Sequence, residues 1–289
     1  MSATSPTEPP TARRARTHAE EIDAGNRFAF GANWSNFLAR LTPERVAEAE
    51  RSLREMLGRE RLDGVRFLDI GSGSGLFSLA AWRLGASVTS IDYDPDSVAC
   101  TQRLRDDLGD GEGRWDVAEG SVLDAATMAP LRNFDIVYSW GVLHHTGHMW
   151  DAIDAAAACT GAGGCFFVAI YNYQPIWTRY YTVVKRTYAA SPPLVQWLFA
   201  AGYATEQILR GLVKDLLTLR NPLRRYQAKI GSRGMSMWHD WVDWIGGYPF
   251  EAATPEAVFS FVRARGYSLE RIVTCGGGQG CNEFVFRRG

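Results

Sequence analysis

Residues 65–76 read Val65-Arg-Phe-Leu-Asp69-Ile-Gly71-Ser-Gly73-Ser-Gly75-Leu76. A short apolar run carries a carboxylate near its end, and a loop with glycine at alternate positions leads into an apolar-rich stretch over 76–84. This is a strand turning into a helix, through a loop whose glycines let backbone N–H groups approach a ligand. Working outward, the next segments predict a strand at 87–92, a helix at about 96–108 and a strand at 115–119. A fourth strand at 134–139, a helix at 149–159 and a fifth strand at 165–171 follow. Upstream, 42–58 reads as a helix with Thr42 as N-cap, Pro43 at its first position and Gly58 after its last turn. Strand–helix alternation of this kind predicts an α/β fold whose parallel sheet is doubly wound, with helices on both faces. Regularity breaks over 172–253 and resumes with a helix at 255–265, a strand at 268–274, a glycine-rich turn and a strand at 282–288. That closing hairpin requires an antiparallel strand. The expected architecture is a seven-stranded, mostly parallel sheet with an antiparallel C-terminal strand, plus a helical cap insertion.

The 289 residues suit one large domain, or one domain with an insertion, and the net charge of −1 argues against a polyanion binder. Residues 1–16 are rich in Pro, Thr and Ser and predict a disordered tail. Their basic residues have no apolar run behind them, which argues against a signal peptide. The longest apolar stretch, 194–203, is interrupted by Gln196 and too short to cross a bilayer. A cytoplasmic protein without stable membrane insertion is therefore expected. The five cysteines are scattered without metal-ligand or disulfide-framework spacing, so no metal is expected.

A dinucleotide fingerprint would place a third glycine where Leu76 stands, so the loop does not read as a NAD site. Asp92 closes the second strand 21 residues after Gly71, where a carboxylate can accept both hydroxyls of a ribose. Four pieces occur in order: Leu68 through Gly75, then Ile91-Asp-Tyr-Asp94, Gly120-Ser-Val-Leu-Asp124 and Phe134 through His145. This series resembles the class I (Rossmann-like) S-adenosylmethionine (SAM)-dependent methyltransferases, over roughly residues 65–171 and again over 255–288. The resemblance implies SAM as cofactor, with Asp69, Gly71, Ser72, Gly73 and Gly75 around its methionine part. It also implies Asp92 and Tyr93 at ribose and adenine, Ser121 and Val122 flanking the adenine, and the Ser139–Trp140 backbone at the methionine amine.

After the fourth strand the text is Ser139-Trp-Gly-Val-Leu-His144-His145-Thr146, unlike the Asp/Asn-Pro-Pro-Tyr/Phe found where nucleobase or glutamine nitrogens are methylated. His144 and His145 stand at the ligand crevice of a doubly wound fold, and an imidazole can take a proton there. His145 is the favoured catalytic residue of the pair; the other reading makes either one a structural hydrogen-bonder. Residues 17–41 read as an N-terminal lid segment, with Trp34 expected at the cofactor and Phe30 at the substrate, or as aromatics packed on the core. Residues 42–171 with 254–289 form the expected SAM-binding core, and 172–253 the expected substrate cap. The cap holds five of the ten Trp, seven of the eleven Tyr, and ten Lys or Arg against five Asp or Glu. Ile208, Leu209, Leu212, Val213, Leu216 and Leu217 mark an amphipathic helix, read as a lid packed on the core, a dimer contact or a membrane-surface face. Trp238, Trp241 and Trp244 recur at helical spacing, leaving His239 and Asp240 on another face; Trp238, His239 and Asp240 are candidate substrate contacts. The expected activity is methyl transfer by in-line displacement to a small-molecule acceptor, with a natural-product pathway as one candidate setting. A peptide, protein or tRNA methyltransferase and a non-catalytic SAM-binding regulator are the competing readings, with no nucleic acid partner expected and a homodimer as a candidate assembly.

Overall fold

A computed structural model describes residues 17–28, 31, 34, 41–108, 113–218 and 237–289, of which 237–240 and 243 in backbone only. Helix α1 (His18–Asp23) precedes α2 (Pro43–Leu57), β1 (Arg66–Ile70), α3 (Leu76–Arg83), β2 (Ser87–Asp92), α4 (Pro95–Leu108) and β3 (Trp115–Glu119). Then come α5 (Ala125–Met128), β4 (Phe134–Trp140), a 3-10 turn (Leu143–His145), α6 (Met149–Ala157) and β5 (Thr160–Tyr171). The cap helices are α7 (Pro175–Ala189), α8 (Pro193–Leu217) and α9 (Met237–Gly246); α10 (Pro255–Arg263), β6 (Tyr267–Val273) and β7 (Cys281–Arg288) complete the chain.

The seven strands lie in the order β3-β2-β1-β4-β5-β7-β6, with β7 antiparallel to both neighbours and the other pairings parallel. The order reverses between β1 and β4, and such a switch point opens a crevice at the carboxyl ends of the strands. Both faces are covered. On one, Val46 and Leu53 of α2, Leu79 of α3 and Leu104 of α4 pack against Phe67, Val88 and Phe167. On the other, Ile153 of α6 and Val258 and Val262 of α10 pack against Val137, Phe166 and Phe286. Burial from both sides explains why the central strands read as continuous apolar runs. Each fully buried Phe removes roughly 3 kcal/mol worth of apolar surface from water, so Phe166 and Phe167, facing opposite ways, tie both helical layers to β5.

Thr42 occupies the N-cap position of α2, but its side chain makes no capping bond; Pro43 and the left-handed Gly58 stand as expected. Strand β5 begins five residues earlier than its apolar run. Both ends of the cap return to one place, since Ala253 N–H donates to Tyr171 O and Tyr173 N–H to Ala253 O. The lid reading of α8 is corrected here. Its buried positions are Ala200, Ala204, Gly211 and Asp215, whereas Ile208, Leu209, Leu212, Val213, Leu216 and Leu217 point outward.

Candidate functional site

The loop after β1 holds three left-handed glycines, Gly71, Gly73 and Gly75, with φ of 82°, 56° and 79°. A Cβ on Gly71 would lie 2.4 Å from a Val142 methyl, and one on Gly73 would lie 3.1 Å from the Trp34 indole. The β4 loop therefore closes one side of this loop and the N-terminal segment covers the other. Ser72 and Thr101 of α4 share a hydroxyl hydrogen bond of 3.0 Å, and Thr101 donates to Gly73 O at 3.2 Å.

Asp92 lies half-buried beside the loop. Its Oδ2 accepts Gly73 N–H and its Oδ1 accepts Asp94 N–H, both at 2.9 Å. Each carboxylate oxygen keeps a lone pair beyond those bonds, enough to receive one ribose hydroxyl apiece. Burial pushes the Asp92 carboxyl up to about 6, against the pull of its two N–H donors. Asp69 is placed differently. It is buried beneath the loop, accepts the Ser78 hydroxyl at 2.5 Å, and is pushed by burial up to about 7. Gly120 N–H donates to Asp92 O, so Ser121 and Val122 leave β3 next to Asp92, with Val122 buried near Ile91. The Trp140 indole turns to Glu283 on β7, donating at 3.1 Å.

The N-terminal segment spans the crevice. Gly31 N–H donates to Asp94 at 2.7 Å, the Arg27 guanidinium lies 4.9 Å over the Tyr93 ring, and Arg27 also donates to His145 O at 3.1 Å. With Trp34 over Gly73, this segment touches the loops after β1, β2 and β4. Phe30 lies outside the described residues.

The two histidines differ in what they can do. His144 is fully buried; its Nδ1 accepts Tyr171 N–H at 3.3 Å, which puts the proton on Nε2. That Nε2 has no hydrogen-bond partner among the described residues. His145 Nδ1 stands 2.6 Å from Pro249 O. A carbonyl only accepts, so the proton sits on Nδ1 and Nε2 is the ring's lone-pair nitrogen. Burial first, then the Lys185 charge, lowers the His145 pKa to about 3; burial lowers that of His144 well below the ordinary value. Both rings are neutral at physiological pH.

Lys185 of α7 supplies a charge that sequence reading missed. It is fully buried, donates to Trp244 O, and lies 4.4 Å and 4.9 Å over the rings of Trp244 and Phe250. A chain of aromatic contacts links cap and crevice. Tyr171 lies 4.0 Å from His144 and 5.5 Å from His145, Trp244 lies 5.3 Å from Tyr171, and Tyr181 lies 5.7 Å from Trp244. Beyond Tyr181 an open cavity of about 460 Å³ lies between α7, α8 and α9, lined among others by Val184, Phe199, Tyr203 and Ile245. Trp238, His239 and Asp240 fall on the first turn of α9, but their side chains lie outside the described residues. Among the described residues no group of His, Cys, Asp and Glu could hold a metal ion.

Residues 68–166 match the model of a methyltransferase domain. A ubiquinone biosynthesis O-methyltransferase of Methylobacterium sp. (strain 4-46) is 32% identical over 133 residues, 46% of this chain and 51% of that one. One from Xanthomonas euvesicatoria pv. vesicatoria (strain 85-10) is 32% identical over 165 residues, 57% of this chain and 66% of its own length. The chain thus spans about half to two thirds of these relatives. Magnesium protoporphyrin IX methyltransferase from Synechocystis PCC 6803, solved with bound SAH, superposes with a TM-score of 0.50 at 13% identity, covering 96% of this chain and 90% of that one. That likeness is one of fold.

Proposed function

We propose that the chain is a class I SAM-dependent methyltransferase that transfers a methyl group from SAM to a small-molecule acceptor bound between His145 and residues 172–253. The observation carrying this reading is Asp92. Its carboxylate is fixed by Gly73 and Asp94 at the switch-point crevice, with one lone pair per oxygen left for a ribose. SAM supplies a methyl group on a sulfonium electrophilic enough that positioning the nucleophile does most of the work. Gly71 and Gly73 hold the methionine end, Asp92 the ribose, and Tyr93, Ser121 and Val122 the adenine.

On the acceptor side, His145 Nε2 accepts a hydrogen bond from the nucleophile, orienting its lone pair toward the methyl group. A ring lowered to about 3 holds a proton weakly, so His145 orients more than it abstracts. Arg27, Gly31 and Trp34 exclude water from the cofactor side, and Tyr171 and Trp244 from the acceptor side. The relatives act in ubiquinone biosynthesis by their names, which favours a hydroxyl-bearing aromatic acceptor here.

The test follows labelled methyl from SAM into an extract of the host, separated into small molecules, protein and RNA. Label should enter the small-molecule fraction, and His145→Ala should slow it by roughly tenfold to a hundredfold with SAM affinity unchanged. Label in protein or RNA would overturn the substrate class, and label nowhere, with SAM bound, would favour a regulator.

A further inference from the structure

Buried hydrogen-bond donors in a folded protein nearly always have a partner. Beside Tyr171 two side chains break that rule together. Trp244 Nε1 and His144 Nε2 are buried with no hydrogen-bond partner among the described residues. Both rings touch Tyr171, at 5.3 Å and 4.0 Å between centroids. An indole N–H donates and cannot accept, and the His144 proton sits on Nε2 because Nδ1 receives Tyr171 N–H. Trp244 and Tyr171 also wall a pocket at the base of the cap, together with Phe250 and Tyr181, and the exposed Trp177 and Gln279 stand at its mouth. The cavity within it measures about 10 Å³, room for about one water-sized group. Among the described residues no Asp or Glu lines it. The buried Lys185 ammonium lies 4.4 Å and 4.9 Å over the rings of Trp244 and Phe250.

We infer that this pocket is a subsite for one carbonyl oxygen of the acceptor, of a ketone or a carboxylate, held by Trp244 Nε1–H. Chemistry selects that ligand. A buried donor calls for an atom with a lone pair, and a cavity of this size admits one oxygen and no larger polar group. The aromatic walls suit a flat, apolar body behind that oxygen. A neighbouring ammonium favours an atom that carries partial or full negative charge. Tyr171 joins the subsite to the histidines, since its ring also lies 5.5 Å from His145. An acceptor with its carbonyl at Trp244 lays its nucleophile past Tyr171 toward His145 Nε2, and His144 Nε2–H is a second donor beside the same ring. That placement rests on the proposed methyl transfer; the preference of the pocket for a carbonyl oxygen does not.

Nuclear magnetic resonance of the isotope-labelled full chain, saturated with the demethylated cofactor, reads this preference without turnover. The ten Trp give ten indole N–H signals, and Trp244→Phe identifies the one at the pocket. Cross-relaxation to the Tyr171 and Phe250 rings gives the same assignment without a variant. Acetophenone or benzoate should move that signal downfield, and toluene should not. A response to benzoate alone assigns the oxygen to a carboxylate, to acetophenone alone to a neutral carbonyl, and to both to either kind. Trp244→Phe keeps an aromatic ring and removes the N–H. It should weaken binding of the responding probe at least tenfold, followed at the remaining indoles, with affinity for the demethylated cofactor unchanged. A signal that neither carbonyl probe moves overturns the proposal, and so does an equal shift with toluene. Cross-relaxation from this indole N–H to water that persists at saturating probe also overturns it, since the donor then serves a buried water.

Discussion

In the proposed cofactor site, Asp92 carries two demands that conflict. Its carboxylate must be ionised to accept ribose hydroxyls, yet burial raises its pKa to about 6 in the absence of a nucleoside. Only the ionised form binds well, so SAM affinity should be constant above about pH 7 and fall roughly tenfold per pH unit below about 6. Asp92→Asn should remove that dependence and weaken binding by about 2–3 kcal/mol at neutral pH, the loss of charge-assisted hydrogen bonds. Calorimetry in buffers from pH 5 to 8 checks both, and a wild-type affinity flat across that range would remove Asp92 from the ribose. His145, lowered to about 3, cannot produce this acid limb, and burial lowers His144 in the same direction. Asp92 was legible in the sequence because a carboxylate ending the second strand of an alternating pattern has a fixed place. Asp69 was legible as a residue but not as a neighbour of Ser78, because the direction of one side chain at a strand end depends on the helix packed over it. Lys185 left no signal at all. A lysine among Val183, Val184 and Arg186 reads as solvated, and only the placing of α9 buries it.

At the level of elements, α7 acts on the crevice at a distance through that lysine. Lys185 joins burial in lowering the pKa of His144 and His145, and it holds the backbone of α9 through Trp244 O. Lys185→Met keeps the length of the side chain and removes the charge, so the His145 pKa should rise, as followed by NMR titration of the imidazole carbon-bound protons. An unchanged titration would mean that the cap does not reach the crevice electrostatically. The bounds of β2 and β3 agree with the alternation of apolar and polar residues, since both are short and end in clear turns. The start of β5 does not, because Gly161, Gly163 and Gly164 carry no hydrophobic signal and fall in the irregular stretch between the Thr160 and Cys165 pairings. The outward face of α8 was illegible for a deeper reason. Periodicity reports that a helix has two faces, and which one turns inward is decided by the partner, here a layer that buries Ala200, Ala204, Gly211 and Asp215 and half-buries Phe199 and Tyr203.

For the whole molecule, the sheet order places four strand-end features around one switch point: the glycine loop after β1, Asp92 after β2, Ser121 and Val122 after β3, and His145 after β4. The N-terminal segment reaches the loops after β1, β2 and β4 through Arg27, Gly31 and Trp34, while Tyr171, Trp244 and Lys185 pack on one another beside the histidines. The order of motifs along the chain made these strand-end positions readable, because each sits at the end of a strand whose place the fold class determines. Residues 172–253 form an insertion with no repeated pattern, so its geometry had to be seen. A crystal structure of the full chain with the demethylated cofactor tests this division most directly. Both ribose hydroxyls should lie within hydrogen-bond distance of the Asp92 carboxylate, with the sulfur turned toward the space between His145 and Tyr171. A nucleoside bound away from Asp92, or a sulfur pointing away from His145, would contradict the account.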